Sequence, residues 1–167
     1  MKKSVKVAIG LIVLLVLFFI GLQVCAQQRV AKQPNALYAS FLPADLGVGI
    51  RYDHAFVGVG AYASISYGNY NISPDTYIKD HTKYTLGVSA SVPDWNNWHY
   101  AVNAGLNYHD WGKVVMDGIQ LDDKIFNPWS FELGFSVKLP RFALSLRTDI
   151  MRWEPCIDIG IPFNYRK

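Results

Sequence analysis

Apolar and polar residues alternate along most of the chain from residue 36 onwards, with a period of two. In the stretch YTLGVSASV, residues 84–92, apolar or aromatic side chains alternate with glycine, serine and threonine. A period of two places successive side chains on opposite faces of an extended strand. We predict strands at 36–42, 46–53, 55–67, 84–92, 100–109, 129–139, 142–150 and 156–165. The sequence therefore predicts an all-β domain of eight strands, each with one apolar and one small, polar face.

The predicted connections between these strands differ in length. The short ones are 53–54, 93–97 and 140–141, the long ones are 68–82 and 110–128, and 151–155 is intermediate. The short connections thereby fall at one end of the predicted domain. A transmembrane β-barrel has short turns at one end and longer loops at the other, and its strands need about 9 to 11 residues to cross a bilayer. The pattern favours an antiparallel up-and-down barrel.

The composition of the polar faces decides which face meets water. A water-exposed surface is roughly 25 to 35% charged, whereas these faces consist mostly of glycine, serine, threonine and asparagine. Their charged residues are Arg51, Asp53, Lys83, Glu132, Lys138, Arg147, Asp149 and Asp158. A barrel of this strand number has room inside only for side chains. The polar faces are therefore predicted to line a narrow lumen, and the apolar faces to meet lipid.

Aromatic residues on the apolar faces fall into two bands. The band at the long-loop ends is Tyr67, Tyr84, Tyr108 and Trp129, and the band at the short-turn ends is Tyr52, Tyr100, Phe142, Phe163 and Tyr165. A soluble core gives no reason for such sorting, whereas amphipathic rings favour the two membrane interfaces. The bands therefore predict a membrane-spanning barrel with lipid as its immediate partner.

The eight segments with their two aromatic bands resemble the small eight-stranded outer-membrane proteins of Gram-negative bacteria, the OmpA-like and OmpX-like class. The resemblance covers residues 36–165. It implies an outer-membrane location and insertion by the barrel-assembly machinery. Proteins of this class commonly end on an aromatic residue, but here Phe163 and Tyr165 are followed by Arg166 and Lys167. Either recognition tolerates this ending, or the final strand is read from Phe163.

The N-terminus has the layout of a secretory signal. Three lysines precede an apolar run over 7–22, and Ala26 precedes the predicted cleavage point. We predict a signal peptide at 1–26, a short lead at 27–35 and the barrel at 36–167. Two alternatives stay open: an uncleaved membrane anchor, for which about 20 apolar residues are needed, and lipidation of Cys25.

Charge and cysteine content limit the partners. The first 26 residues hold three of the 16 basic residues and none of the 13 acidic ones, so the predicted mature chain carries 13 of each. A formally neutral chain gives no electrostatic case for binding nucleic acid. Only Cys156 remains after the predicted cut, so no intramolecular disulfide can form.

The sequence predicts no catalytic, cofactor or metal site. By parity His99 and His109 face the lumen, and the lipid-facing wall carries almost no polar group, although an enzyme acting on membrane lipid needs its catalytic residues on that wall. His54 and His81 are predicted to be solvated in a turn and a loop. The aspartates Asp117, Asp122 and Asp123 lack the spacing of a calcium loop.

The leading functional hypothesis is a non-enzymatic envelope protein whose barrel anchors it and whose long loops bind an extracellular ligand or surface. The predicted contact residues in those loops are Tyr70, Tyr77, Trp111 and Phe126. The alternatives are a narrow channel, a lipid-modifying outer-membrane enzyme and a soluble periplasmic ligand-binding barrel.

Strand register predicts a cluster of charges in the lumen. If Leu139 and Phe142 flank the 140–141 turn as a pair, Asp149 lies opposite Glu132, and Arg147 lies opposite Gly134, two residues along the strand from Glu132. Asp158 then lies opposite or diagonal to Arg147 on the next strand, within reach of a long side chain. The predicted cluster is Glu132, Arg147, Asp149 and Asp158. The alternative is that these groups are solvated at the barrel mouth, where such pairs contribute about 1 kcal/mol or less.

Overall fold

The computed structural model describes residues 33–43, 46–73, 76–95, 98–121 and 126–164. The strands are β1 Asn35–Leu42, β2 Gly47–Ala55, β3 Val59–Ser73, β4 Thr76–Trp95, β5 Trp98–Asp110, β6 Lys113–Met116, β7 Ile119–Leu121, β8 Trp129–Lys138, β9 Ala143–Asp149 and β10 Glu154–Phe163. Within these described ranges, no helix is long and apolar enough to span a lipid bilayer.

Eight of the strands form a closed antiparallel barrel. The order around it is β1, β2, β3, β4, β5, β8, β9 and β10, and β10 pairs again with β1. The predicted fold class is confirmed, and so is the register across the β8–β9 turn, where Glu132 pairs with Asp149 and Gly134 with Arg147. Because the ladder is closed, these eight strands present no free edge at the level of the barrel.

The polarity of the barrel is inverted relative to a soluble domain. All the charged residues predicted to face the lumen are buried: Arg51, Asp53, Lys83, Glu132, Lys138, Arg147, Asp149 and Asp158. Large apolar side chains face outwards, with Leu86 71% and Ile161 68% exposed. The period of two seen in the sequence thus separates an interior wall of polar side chains from an exterior wall that needs an apolar solvent.

Aromatic rings border the exterior wall at both ends. At the long-loop end the ring centroids of Tyr84 and Tyr108 are 6.4 Å apart, and those of Tyr108 and Trp129 are 5.0 Å apart. At the short-turn end Tyr52 and Phe163 stack at 6.1 Å. Neighbouring strands therefore contribute adjacent rings to each band, as in the interfacial girdles of membrane barrels.

The predicted loop 68–82 is almost entirely strand and the predicted loop 110–128 contains a hairpin, so that part of the prediction is wrong. Residues 68–73 extend β3, residues 76–82 begin β4, and the two strands pair as far as Ser73 and Thr76. The β6–β7 hairpin within 110–128 pairs with the start of β4. We call these four paired pieces the outer sheet: residues 70–73 of β3, residues 76–79 of β4, β6 and β7. Beyond the membrane both faces of a hairpin can meet water, so the alternation that marks the barrel strands is lost.

The short connections also differ from the predicted ones. β2 continues through 53–54, and the turn lies at 56–58, where the Phe56 amide donates to the Val59 carbonyl at 2.7 Å and Gly58 has a φ of 79°. β10 begins at Glu154 rather than at residue 156. A further short connection, 43–46, joins β1 to β2 at the long-loop end, so short connections occur at both ends. The predicted signal peptide, Cys25, and Tyr165 to Lys167 lie outside the described residues.

Candidate functional site

Arg147 lies at the centre of the lumen and binds two carboxylates. Its Nη1 donates to Glu132 Oε1 at 2.6 Å, while its Nε and Nη2 donate to the two oxygens of Asp158 at 2.7 and 2.9 Å. Asp158 is diagonal to Arg147, because Cys156 is its direct partner on β10. The planar guanidinium fork suits a carboxylate held in this bidentate geometry.

Further charges extend this arrangement across the lumen. Arg51 donates to both oxygens of Asp53, at 2.6 and 3.1 Å, and to Asp158 at 3.1 Å. Lys83 lies 3.3 Å from Glu132, and Lys138 lies 3.4 Å from Asp53. We call the group Arg51, Lys83, Glu132, Arg147 and Asp158 the ion cluster, and Asp53 and Lys138 extend it towards the short-turn end. Removing one partner from a buried network of this kind leaves an uncompensated charge, which is strongly destabilising.

Tyr62 is a member of the lumen that the sequence analysis missed. Its hydroxyl donates to Glu132 Oε1 at 3.0 Å, and the Arg51 guanidinium lies 4.1 Å from its ring centroid. The ring lies over Gly87 and the hydroxyl over Gly105, so a Cβ at either position would collide with Tyr62. The signal was present in the sequence, because Tyr62 pairs with Gly87 and Gly87 pairs with Gly105 across adjacent strands. Two glycines in line beside an inward-facing position indicate a large inward side chain.

Asp149 belongs to a second polar group, although it pairs with Glu132 in the ladder. It accepts hydrogen bonds from Ser130, from Asn107 Nδ2 at 3.1 Å and from the Met151 amide at 3.0 Å. His109 Nε2 lies 2.9 Å from Ser130 Oγ. Of the predicted cluster, Glu132, Arg147 and Asp158 are thus in direct contact, whereas Asp149 lies at the outer end of the lumen, where it also pairs with Arg152 at 3.6 Å.

A stack of three rings closes the outer end of the lumen. His81 and His109 lie 2.9 Å apart, nitrogen to nitrogen, and both stack on Trp111 with centroid distances of 4.7 and 4.9 Å. The Arg152 guanidinium lies 4.3 Å from the Trp111 ring centroid. We call His81, His109 and Trp111 the ring stack. The prediction that His81 is solvated in a loop is wrong, because β4 carries it into the barrel wall, where it is buried.

The predicted surface contacts are only in part on the surface. Trp111 is 5% exposed and packs with Ile78 and Val114, so it is a core residue of the outer end and not a surface contact. Phe126 packs against Trp111 at 5.4 Å between centroids. Tyr77 is half-buried, and the side chain of Tyr70 lies outside the described residues. Trp111 is buried because the β6–β7 hairpin lies beside it and covers its indole ring with Val114.

The chemistry available at these groups is limited by access. Ser130 and His109 are within hydrogen-bonding distance, as a nucleophile and its base must be. However, Ser130 is fully buried, and its hydroxyl donates a hydrogen bond to Asp149. Within the described ranges, no group of three or more His, Cys, Asp or Glu side chains is arranged to hold a metal ion.

The closed ladder of eight strands, the ion-paired interior and the apolar exterior define a transmembrane β-barrel of the outer-membrane class. No protein-family model matches the sequence, and no curated protein matches it. Among solved structures, the chain is similar to the outer membrane protein Ail of Yersinia pestis, determined as a backbone structure in a phospholipid bilayer nanodisc. That match has 11% sequence identity and a TM-score of 0.46, and it covers 78% of this chain and 99% of that chain. The class assignment rests on the ladder and the polarity of the barrel itself.

Proposed function

We propose that the protein is a non-enzymatic outer-membrane barrel that anchors the outer sheet for contact with an extracellular ligand. The observation that carries the proposal is the tip of the β6–β7 hairpin, where Met116 is 42% and Ile119 is 65% exposed. Exposed apolar side chains on a fixed element are suited to partner contact. The cluster of Ile78, Trp111 and Val114 packs β4 against β6 beneath this tip and fixes its position relative to the barrel.

A channel function is disfavoured by the filling of the lumen. The pairs of Lys138 with Asp53 and of Lys83 with Glu132 join strands that are not neighbours in the barrel, and Arg147 binds both Glu132 and Asp158. Passage of a hydrated ion would require these buried pairs to separate. Single-channel recording in a planar bilayer tests this, and a steady ionic current through the wild-type protein would support the channel alternative.

An enzymatic function is disfavoured by the burial of Ser130, the serine placed beside His109 in the lumen. Ser130 has no exposed surface, and its hydroxyl donates a hydrogen bond to Asp149. The exterior wall that would meet lipid substrates is apolar. A serine-reactive phosphonate probe should therefore leave Ser130 unlabelled, and labelling that Ser130→Ala abolishes would favour the enzyme alternative.

The lipid-facing wall argues against a soluble periplasmic barrel. A water-facing wall would not carry Val48 at 64%, Ile159 at 60% and Ile161 at 68% exposure. In our proposal outer-membrane lipid and the barrel-assembly machinery are the partners of this wall and of the final strand. Fractionation of the expressing cells tests this, and recovery in the soluble periplasmic fraction would contradict it.

The binding proposal is tested by an array of proteins and glycans probed with purified protein in nanodiscs. The test variant is Met116→Ser with Ile119→Ser, and the matched control is Val57→Ser, which removes an apolar side chain exposed at 69% at the opposite end. We expect the wild-type protein to give signals on the array. The double substitution should lower these signals, and the control substitution should leave them unchanged. Identical array profiles for the wild type and the double variant would contradict the proposal.

A further inference from the structure

The segment that precedes β1 crosses the short-turn end of the lumen. Gln33 and Pro34 are both buried, and Gln33 Nε2 donates to the Tyr100 carbonyl at 2.7 Å. Tyr100 is on β5, which lies four strands from β1 in either direction around the barrel. The chain therefore reaches from one side of the lumen to the opposite side before it enters the ladder.

Two further contacts hold this segment in place. Lys138, on β8, donates through Nζ to the Pro34 carbonyl at 3.1 Å and also pairs with Asp53 on β2. Asn35 Oδ1 accepts a hydrogen bond from the Ala55 amide at 2.9 Å, at the end of β2. The segment is thus attached to β2 on one side of the barrel and to the neighbouring strands β5 and β8 on the other.

Polar groups without partners lie between this segment and the ion cluster. Along β8 the inward positions run from Lys138 through Ser136 and Gly134 to Glu132, so Ser136 comes after the segment and before the cluster. Ser136 Oγ and both side-chain polar atoms of Asn103 are buried and have no hydrogen-bond partner among the described residues. Buried polar groups of this kind are ordinarily satisfied by ordered water.

We propose that Gln33–Asn35 is a strap that seals the short-turn end of the lumen over a small polar chamber lined by Asn103 and Ser136. The ion cluster closes the chamber from the other side. With the strap in place the chamber is isolated from bulk solvent. When the strap is released, water and small polar solutes enter as far as the ion cluster and no further, so the strap and the cluster are two separate seals in series.

Thiol accessibility in the full chain tests this arrangement. A Cys25→Ser, Cys156→Ser background carries one new cysteine, either Ser136→Cys in the chamber or Ser130→Cys beyond the ion cluster, and is labelled with a small water-soluble methanethiosulfonate. The strap is loosened by Gln33→Ala with Pro34→Gly and, independently, by Asn35→Ala, which removes the contact with the Ala55 amide. Heat-dependent gel mobility verifies that each variant is folded.

We expect each loosened strap to speed labelling at Ser136→Cys by roughly tenfold. Loss of one or two hydrogen bonds raises the equilibrium constant for opening of the strap by about that factor. Labelling at Ser130→Cys should stay slow in every variant. Equal rates at Ser136→Cys with the intact and the loosened strap would overturn the proposal. Equal acceleration at both cysteines would also overturn it, because the barrel as a whole would then have loosened.

Discussion

The barrel at membrane level and the outer end above it are both filled with side chains, but by different interactions. At membrane level the filling is the ion cluster, in which Arg147 binds Glu132 and Asp158 with donor–acceptor distances of 2.6 to 2.9 Å. At the outer end it is the ring stack on an apolar cluster, in which Trp111 packs with Ile78 and Val114. The first joins strands of a closed ladder, whereas the second joins a hairpin to that ladder.

This difference indicates which part of the molecule can open while the rest stays folded. The ion cluster links β2, β8, β9 and β10, so its ion pairs cannot break without loosening the barrel itself. The outer sheet joins the barrel through the continuous strands β3 and β4, and within the sheet β6 is held by its pairing with β4. We therefore expect lumen substitutions to change the global stability of the barrel, and outer-end substitutions to change local opening.

The largest effect should come from the centre of the ion cluster. Arg147→Ala leaves Glu132 and Asp158 without their shared guanidinium, and we expect it to lower the free energy of unfolding by about 3 to 5 kcal/mol. Urea unfolding in lipid vesicles, followed by gel mobility, measures this. The matched control Arg147→Lys keeps the charge but loses the planar fork, so it should lose less. Unchanged unfolding of Arg147→Ala would mean that the cluster does not hold the barrel together.

The next effect should come from the two faces of β8. Leu133→Arg places a charge on the lipid-facing wall and should cost about 2 to 4 kcal/mol of unfolding free energy near the membrane midplane. Ser136→Ala, on the lumen face of the same strand, removes a hydroxyl without a protein partner among the described residues, so it should cost about 0.5 kcal/mol or less. Equal tolerance of the two substitutions would show that the faces are assigned the wrong way round.

The smallest effect on the barrel should come from the outer end. Trp111→Ala removes the ring on which His81 and His109 stack, so the outer sheet should open more often and trypsin should cut faster at the exposed Lys79 and Lys113. The free energy of barrel unfolding should change by about 1 kcal/mol or less, because the ladder below is intact. Ile119→Ser, at the exposed tip, should leave the cleavage rate unchanged. A large loss of barrel stability in Trp111→Ala would contradict the separation of the two regions.

The strands at membrane level were predictable from sequence because each of them has two different environments, one on each face. Lipid on one side and packed charges on the other impose a strict period of two, and pairing across the 140–141 turn then aligns Arg147 with Gly134. The outer end was not predictable in this way. His81 and Trp111 occupy a region where protein or water can cover either face, so local pattern carries no information about which side chain is buried.

Long-range contacts within the lumen were also beyond the sequence. The contact of Arg51 with Asp158 and the contact of Lys138 with the Pro34 carbonyl depend on how the closed barrel brings distant strands together. Register between neighbouring strands predicts contacts one strand away. It does not predict those across the lumen, because strand tilt and stagger set which levels face each other.

Spin-label accessibility along β8 tests most directly the central claim that the apolar face meets lipid and the polar face is a sealed lumen. Single labels at Leu133, Phe135 and Ser136, in the protein reconstituted in bilayers, are challenged with oxygen, which partitions into lipid, and with a polar nickel chelate. We predict oxygen accessibility at Leu133 and Phe135, and protection from both reagents at Ser136. Nickel accessibility at Leu133 and Phe135 with protection from oxygen would place the apolar face outside lipid and contradict the account.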